Sequence, residues 1–230
     1  RARLMEFHED REARLAAERN EANPAQRERL DAMMAAGHFQ VYPEVAFENY
    51  KSFIFNVAIA VVVSVVMVVS PVMIRDRLRQ VSDLQYTAKK GRHLFKTKIA
   101  AGCVCTGIVI AGLLFFYFTL YSFNRTETYF PVPIHTFIGP FYYWYDPTFF
   151  QYIVLTVAAV VLLGYVFALL AMAFSCLMPN YVSLIGVQVP PVVAMIGFGL
   201  SFLISRIIDL DLPRWAIPAS YSVLVLVSVW

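Results

Sequence analysis

Long apolar runs alternate with short polar segments along most of this chain, a pattern that predicts membrane-crossing helices. Four runs, 52–74, 99–121, 149–178 and 182–204, each reach the length of about 20 residues that a helix needs to cross about 30 Å of hydrocarbon. A fifth run, 217–230, is apolar but too short to cross at about 1.5 Å per residue, so we interpret it as part of a span. The fold class that we predict is therefore all-α, a polytopic helical membrane protein with four complete spans and one partial span.

The first 48 residues are polar and form a separate predicted unit. The sequence up to about Glu21 is rich in Ala, Arg and Glu with opposite charges three or four positions apart, which favours a solvated helix. Asn23 and Pro24 are typical of an N-cap and a first-turn proline, and they open a second helix that ends near Gly37. We predict a helical hairpin with its lead-in at 1–48, followed by one membrane domain. The hairpin either simply solvates this end of the chain or binds a ligand.

The charge that predicts how the chain is oriented in the membrane lies in one loop, between the first two predicted spans. Residues 75–98 hold eight of the nineteen Lys and Arg residues against two acids. Because basic loops stay inside the cell, this loop is predicted to be cytoplasmic. The next connection, 122–148, has one base and many Tyr, Phe, Trp and Pro residues, as expected of an outer loop in the headgroup zone. The chain is thus expected in the plasma membrane with 1–48 outside, and its net charge of +3 needs no nucleic-acid partner.

That orientation has a consequence for the number of spans. Residues 1–48 show no basic-then-apolar signal sequence, yet they are predicted to lie outside the cell. We therefore expect a further span before them and about six spans in the intact chain.

The sequence offers no catalytic constellation. The predicted spans hold no ionisable residue at mid-bilayer, which disfavours an ion-coupled carrier, and no clustered metal ligands or paired nucleophile and base. No Gly-rich phosphate-binding loop occurs, so this chain is predicted to be no enzyme and to bind no cofactor or metal itself. The three cysteines are interpreted as small packing residues.

Tandem prolines interrupt the predicted span 182–204. Prolines free backbone groups of the preceding turn, and lipid tolerates this where neighbouring helices or a cavity satisfy those groups. The kink either serves packing alone or bends the helix along a substrate path. Candidates for that path are Ser64, Gln188, Pro190, Pro191 and Ser201.

The basic loop carries a resemblance to a known family. The segment "SPVMIRDRLRQVSDLQYTAKKGRHLFKTKIAAG" is similar to the region between the second and third spans of permease subunits of type-2 ATP-binding-cassette (ABC) exporters of Gram-positive bacteria. The matching residues are Ser70, Pro71, Arg75, Asp76, Thr87, Ala88, Lys89, Gly91, Arg92, Lys98 and Ile99. Asp76 stands where the family usually has Glu, and Gln80 where it often has Gly.

The resemblance implies a coupling helix that docks on a separate ATPase subunit. The complex would contain two ATPase copies, which bind ATP and Mg²⁺, and a second permease chain, identical or related. The docking residues would be Asp76, Arg77, Leu78, Val81, Asp83 and Leu84. Leu78, Val81 and Leu84 also fall at helical spacing and could form a small apolar face. Part of the basic charge instead holds the loop inside and binds anionic membrane lipid.

Two functions follow for this membrane domain, 49–230. The first is a transporter subunit that exports an amphiphilic cargo, such as a peptide antibiotic or a lipid-like molecule. The second is a non-transport membrane protein that binds a ligand or partner through the outer hairpin and the aromatic loop, and signals.

Overall fold

The computed structural model describes residues 44–71, 74–75, 91–137, 145, 147–209 and 212–229, together with Pro24, Arg27 and Asp31. The last three are helical and are the part of the predicted hairpin described before residue 44. The predicted docking residues, Asp76, Arg77, Leu78, Val81, Asp83 and Leu84, lie outside the described residues.

The described parts of the chain are all-helical, as the sequence predicts. The helices are α1 (Glu44–Val69), α2 (Gly91–Ser122), α3 (Phe149–Leu177), α4 (Tyr181–Ala194) and α5 (Ala216–Val229). Four stretches are long and apolar enough to cross a membrane. They are Val45–Val69 in α1, His93–Ser122 in α2, Phe149–Leu177, which is α3, and Tyr181–Ser205, which is α4 with the turns that continue it. This arrangement is compatible with a multi-pass membrane protein. The helix of α5 is apolar but shorter.

Two helix boundaries differ from the predicted spans. Helix α1 ends at Val69 rather than at residue 74, because Ser70 and Pro71 follow and proline cannot continue the hydrogen-bond ladder. Helix α2 begins at Gly91, inside the predicted loop 75–98, since the polar turns before an apolar span can be helical without lying in the membrane.

Helices α1 and α3 run parallel. Tyr50 Oη lies 2.6 Å from Thr156 Oγ1, 106 positions later in the chain. At the other end of the pair, Ser175 Oγ donates to Ser70 O, 105 positions earlier. A nearly constant separation along two helices requires that they point the same way. Tyr50 and Ser70 lie about 30 Å apart at 1.5 Å per residue, so the two polar ties are about one hydrocarbon thickness apart.

The face of α1 between these ties is apolar. Its buried residues recur every three or four positions, which places them on one side of the helix. This spacing holds for Phe47, Tyr50, Ile54, Val57, Val61, Val65 and Val69, and the buried Ala58 and Val62 widen the same face.

Helix α2 crosses α3 in the opposite direction at close range. A Cβ atom on Gly102 would lie 2.6 Å from Met172 Sδ, and one on Gly164 would lie 2.6 Å from Ile110 Cδ1. As the position in α2 advances from 102 to 110, its partner in α3 falls from 172 to 164, which defines an antiparallel pair. The Cβ on Gly164 would also lie 3.0 Å from Val61 Cγ1, so three helices meet at this glycine.

The connection between α2 and α3 folds back onto the bundle. It contains two 3₁₀ turns, Thr126–Tyr129 and Ile134–Thr136. Thr148 then caps α3, because its hydroxyl accepts a hydrogen bond from Gln151 N while Gln151 Oε1 accepts one from Thr148 N. The aromatic residues expected at a membrane interface here are partly internal, since Phe137 is buried.

Helix α4 passes through Pro190 and Pro191 and continues as two π-helical turns, Met195–Gly199 and Ser201–Ser205. Both prolines lack an N–H group, so the ladder loses two donors, and the wider turns follow within one turn of them. Helix α5 packs back against α3 and against these turns.

Candidate functional site

The chain is interrupted at Ser70, directly after α1. Ile74 N donates to Ser175 Oγ on α3 at 2.9 Å, and Ser175 Oγ donates to Ser70 O at 2.7 Å. One side-chain hydroxyl of α3 thus bonds two main-chain groups of the segment that follows α1. Pro71 contributes to the break because it has no N–H to donate.

Gln188 on α4 joins the same site from another side. Ser70 Oγ lies against Val66 O and donates to Gln188 Oε1 at 2.8 Å. Gln188 Nε2 in turn donates to Ala171 O on α3 at 3.3 Å. We call Ser70, Ile74, Ala171, Ser175 and Gln188 the polar junction. It connects the end of α1 with α3 and α4.

The polar junction is buried and uncharged. Ser175 and Ile74 have no exposed surface, Gln188 is 6% exposed and Ser70 is 9% exposed. Its members are hydroxyl, amide and main-chain groups, which do not titrate near neutral pH. In the part of the chain that the structure describes, no three His, Cys, Asp or Glu residues come together as metal ligands. Uncharged groups that are hydrogen-bonded to one another in this way are suited to holding helices together.

A small cavity adjoins the junction. Its volume is about 10 Å³, close to the smallest space that one water molecule needs. Gln188 and Pro191 both line it, together with Val66, Phe167, Leu170, Ala171, Phe174 and Val192.

The five residues predicted for a substrate path differ in how far they are buried. Gln188 is buried in the polar junction, and Pro191 is half-buried beside it. Ser64 is half-buried on α1, while Pro190 and Ser201 are exposed. None of Ser64, Pro190 and Ser201 lines the cavity next to Gln188.

Sequence reasoning missed Ser175. It lies in the last turns of α3, within the motif "AFSCL", and its two hydrogen bonds are both to the segment around Ser70. A serine near the end of an apolar span was a weak signal, because such hydroxyls usually bond within their own helix. Its importance comes from the parallel packing of α1 and α3, which no local pattern reveals.

A second polar tie lies at the opposite end of the bundle. Thr156 Oγ1 donates to Tyr152 O at 2.9 Å within its own helix, so Tyr50 donates to Thr156. Buried rings surround this pair, including Phe47 and Phe149. This tie joins two helices and leads to no predicted site, whereas the polar junction joins three and leads into the basic loop.

The polar junction is therefore the candidate functional site, and its chemistry is that of a mechanical connection. Comparison with known proteins adds no guide to its role. No family model, curated protein or solved structure matches this chain.

Proposed function

We propose that this chain is the membrane-spanning permease subunit of an ABC exporter in the plasma membrane, with residues 1–48 outside the cell and the loop 75–98 inside. It would work with a second permease chain, identical or related. Two copies of a separate ATPase subunit, which bind ATP and Mg²⁺, would dock on residues 76–88, here called the docking segment. The cargo would be amphiphilic, a peptide antibiotic or a lipid-like molecule.

The polar junction is the observation that carries this proposal. Ser70 and Pro71, which open the resemblance to exporter permeases, are the residues at which α1 is interrupted. The turn after the break is bonded through Ile74 to Ser175 on α3, and Ser70 is bonded to Gln188 on α4. The docking segment follows directly in the chain. A force applied there would reach α3 and α4 through these hydrogen bonds.

The alternative, a non-transport binding protein, is based on the outer hairpin and the aromatic outer loop. Phe137 of this loop stacks on Phe47 of α1 with ring centroids 5.7 Å apart, and it also contacts Phe149 of α3. Both Phe137 and Phe149 are buried. These rings stabilise the bundle, so the described part of the loop favours packing over ligand capture.

The test is whether an ATPase subunit depends on the docking segment. The chain is co-expressed with the ATPase encoded beside it, purified, and assayed for co-purification and ATP hydrolysis. Leu78→Asp with Leu84→Asp places two charges on the predicted apolar face, and we expect association and ATP hydrolysis to be lost. The matched control is Tyr86→Asp with Thr87→Asp, which adds the same charge roughly 120–140° from the middle of that face. If the Leu78 and Leu84 variant retains the ATPase as well as the control does, the proposed function is wrong.

A further inference from the structure

One side of α4, and of the turns that continue it, is exposed within the candidate span Tyr181–Ser205. Its residues are three or four positions apart, which places them on one side of the helix. We call this side the α4 face, and its residues are Gly186, Pro190, Val193, Gly197 and Ser201. Two of them, Pro190 and Ser201, are among the residues predicted for a substrate path.

The main chain of the α4 face has lost hydrogen-bond donors. Pro190 and Pro191 lie inside the helix and carry no N–H group. The carbonyls of Gly186 and Val187 therefore lose the donors that they would have four residues later in a regular helix. The π-helical turns begin at Met195, after the prolines, so their wider bonds serve later groups. Both Gly186 and Val187 are exposed, and no side chain of the described residues donates to either carbonyl.

The hydroxyl of Ser201 extends the same contrast toward the other end of the span. Exposed hydroxyls on other helices are bonded within their own helix. In α2, Thr119 Oγ1 donates to the carbonyl four residues earlier at 2.7 Å, and in α5 Ser222 Oγ does the same at 2.8 Å. Such a bond lets a hydroxyl lie against lipid. Ser201 lies in the second π-helical turn and makes no hydrogen bond through its hydroxyl to the part of the chain that the structure describes.

Hydrocarbon cannot cover these groups at low cost. Lipid tails offer no hydrogen bonds, so main-chain groups freed at membrane depth are tolerated where protein or water satisfies them. A second copy of this chain is a poor partner, because exposed side chains such as Ile108 and Phe115 of α2 are apolar and offer no donor. Gly186 and Ser201 are also about 20 Å apart along the helix. Water can reach polar groups spread over that distance.

We propose that the α4 face lines a water-filled passage within the membrane and contacts water rather than lipid. Water donates to the carbonyls of Gly186 and Val187 and bonds to the hydroxyl of Ser201. The inference rests on the proposed function and deepens it, because it names the wall along which an amphiphilic cargo would keep its polar groups hydrated while its apolar part meets Val193.

The test measures whether the α4 face reacts with a thiol reagent that stays in water. The full-length chain is co-expressed with the ATPase encoded beside it, its native cysteines are replaced by alanine, and single cysteines are introduced. Val193→Cys is compared with Ile108→Cys, because these residues are 59% and 68% exposed near the middle of their spans. Gly197→Cys is compared with Gly112→Cys, because a Cβ atom at either glycine meets nothing within 4 Å. Isolated membranes are treated with a positively charged methanethiosulfonate, and labelling is expressed relative to the same chain denatured in dodecyl sulfate.

We expect the two α4 cysteines to react about tenfold faster than their α2 controls, because the thiolate is the reactive form and needs water to form. Equal rates at the matched positions would overturn the proposal. Slow labelling of Val193→Cys, with copper-catalysed disulfide formation between two copies, would also overturn it, since a second copy would then cover the α4 face. The failure of the proposed function is distinguishable, because it is measured by ATPase association with the docking segment. Faster labelling of the α4 face in a chain that binds no ATPase would keep the water-filled passage and reject the role in export.

Discussion

Replacing Ser175 by Ala removes the hydroxyl at the centre of the polar junction. Ile74 N then loses its side-chain acceptor and Ser70 O loses its side-chain donor, and both residues are buried. A buried polar group left unpaired costs about 1–3 kcal/mol, whereas hydrogen bonds between membrane helices contribute about 0.6 kcal/mol on average. We therefore expect Ser175→Ala to lower the free energy of unfolding by about 1–2 kcal/mol.

The assay for Ser175→Ala is reversible unfolding in mixed micelles by titration with dodecyl sulfate, together with hydrogen exchange of the Ile74 amide. Ser222→Ala is the matched control, because the Ser222 hydroxyl donates to Pro218 O within its own helix at 2.8 Å and is exposed. We expect faster exchange at Ile74 in Ser175→Ala alone. Equal stability and equal exchange in both variants would refute the role of Ser175 as a hydrogen-bonded link between α3 and the segment that follows α1.

Three further tests probe the bundle, each by the same unfolding titration. In a double-mutant cycle, the stability losses of Ser70→Ala and Gln188→Leu should differ from additivity by about 0.5–2 kcal/mol, because the two side chains are hydrogen-bonded to each other. Additive losses would show that this hydrogen bond contributes nothing to stability. Gly164→Leu should destabilise by about 1–3 kcal/mol, since its side chain would collide with two helices, while Gly112→Leu meets nothing within 4 Å and should be near neutral. Tyr50→Phe should cost about 0.5–1.5 kcal/mol through the lost hydroxyl contact, and an unchanged stability would contradict that tie.

The helical fold could be predicted from the sequence because lipid imposes a simple rule. Backbone groups in hydrocarbon must be satisfied within the segment, so each long apolar run has to be a helix. The ends of the helices were less predictable. Helix α1 stops at Val69 because of Ser70 and Pro71, although the apolar composition continues to Ile74.

The candidate site could be predicted only in part. The sequence marked Ser70 and Pro71 through the resemblance, and Gln188 through its polarity inside a span. It could not show that Gln188 bonds to Ser70, 118 positions away, because that contact depends on how helices pack. For the same reason Ser175 was missed. The prolines before the π-helical turns indicated a kink, but the exposure of Ser201 is likewise a product of tertiary packing.

The most direct test of the central claim is a cross-link between the docking segment and an ATPase. The three native cysteines are replaced, Leu78→Cys is labelled with a maleimide benzophenone, and the complex with the ATPase is illuminated. The control is Phe123→Cys, which is 77% exposed at the opposite end of the bundle. If the chain is a permease, we expect an ATPase adduct from position 78 and none from position 123. No adduct from position 78, or equal adducts from both positions, would contradict the assignment of this chain as an ATPase-driven permease.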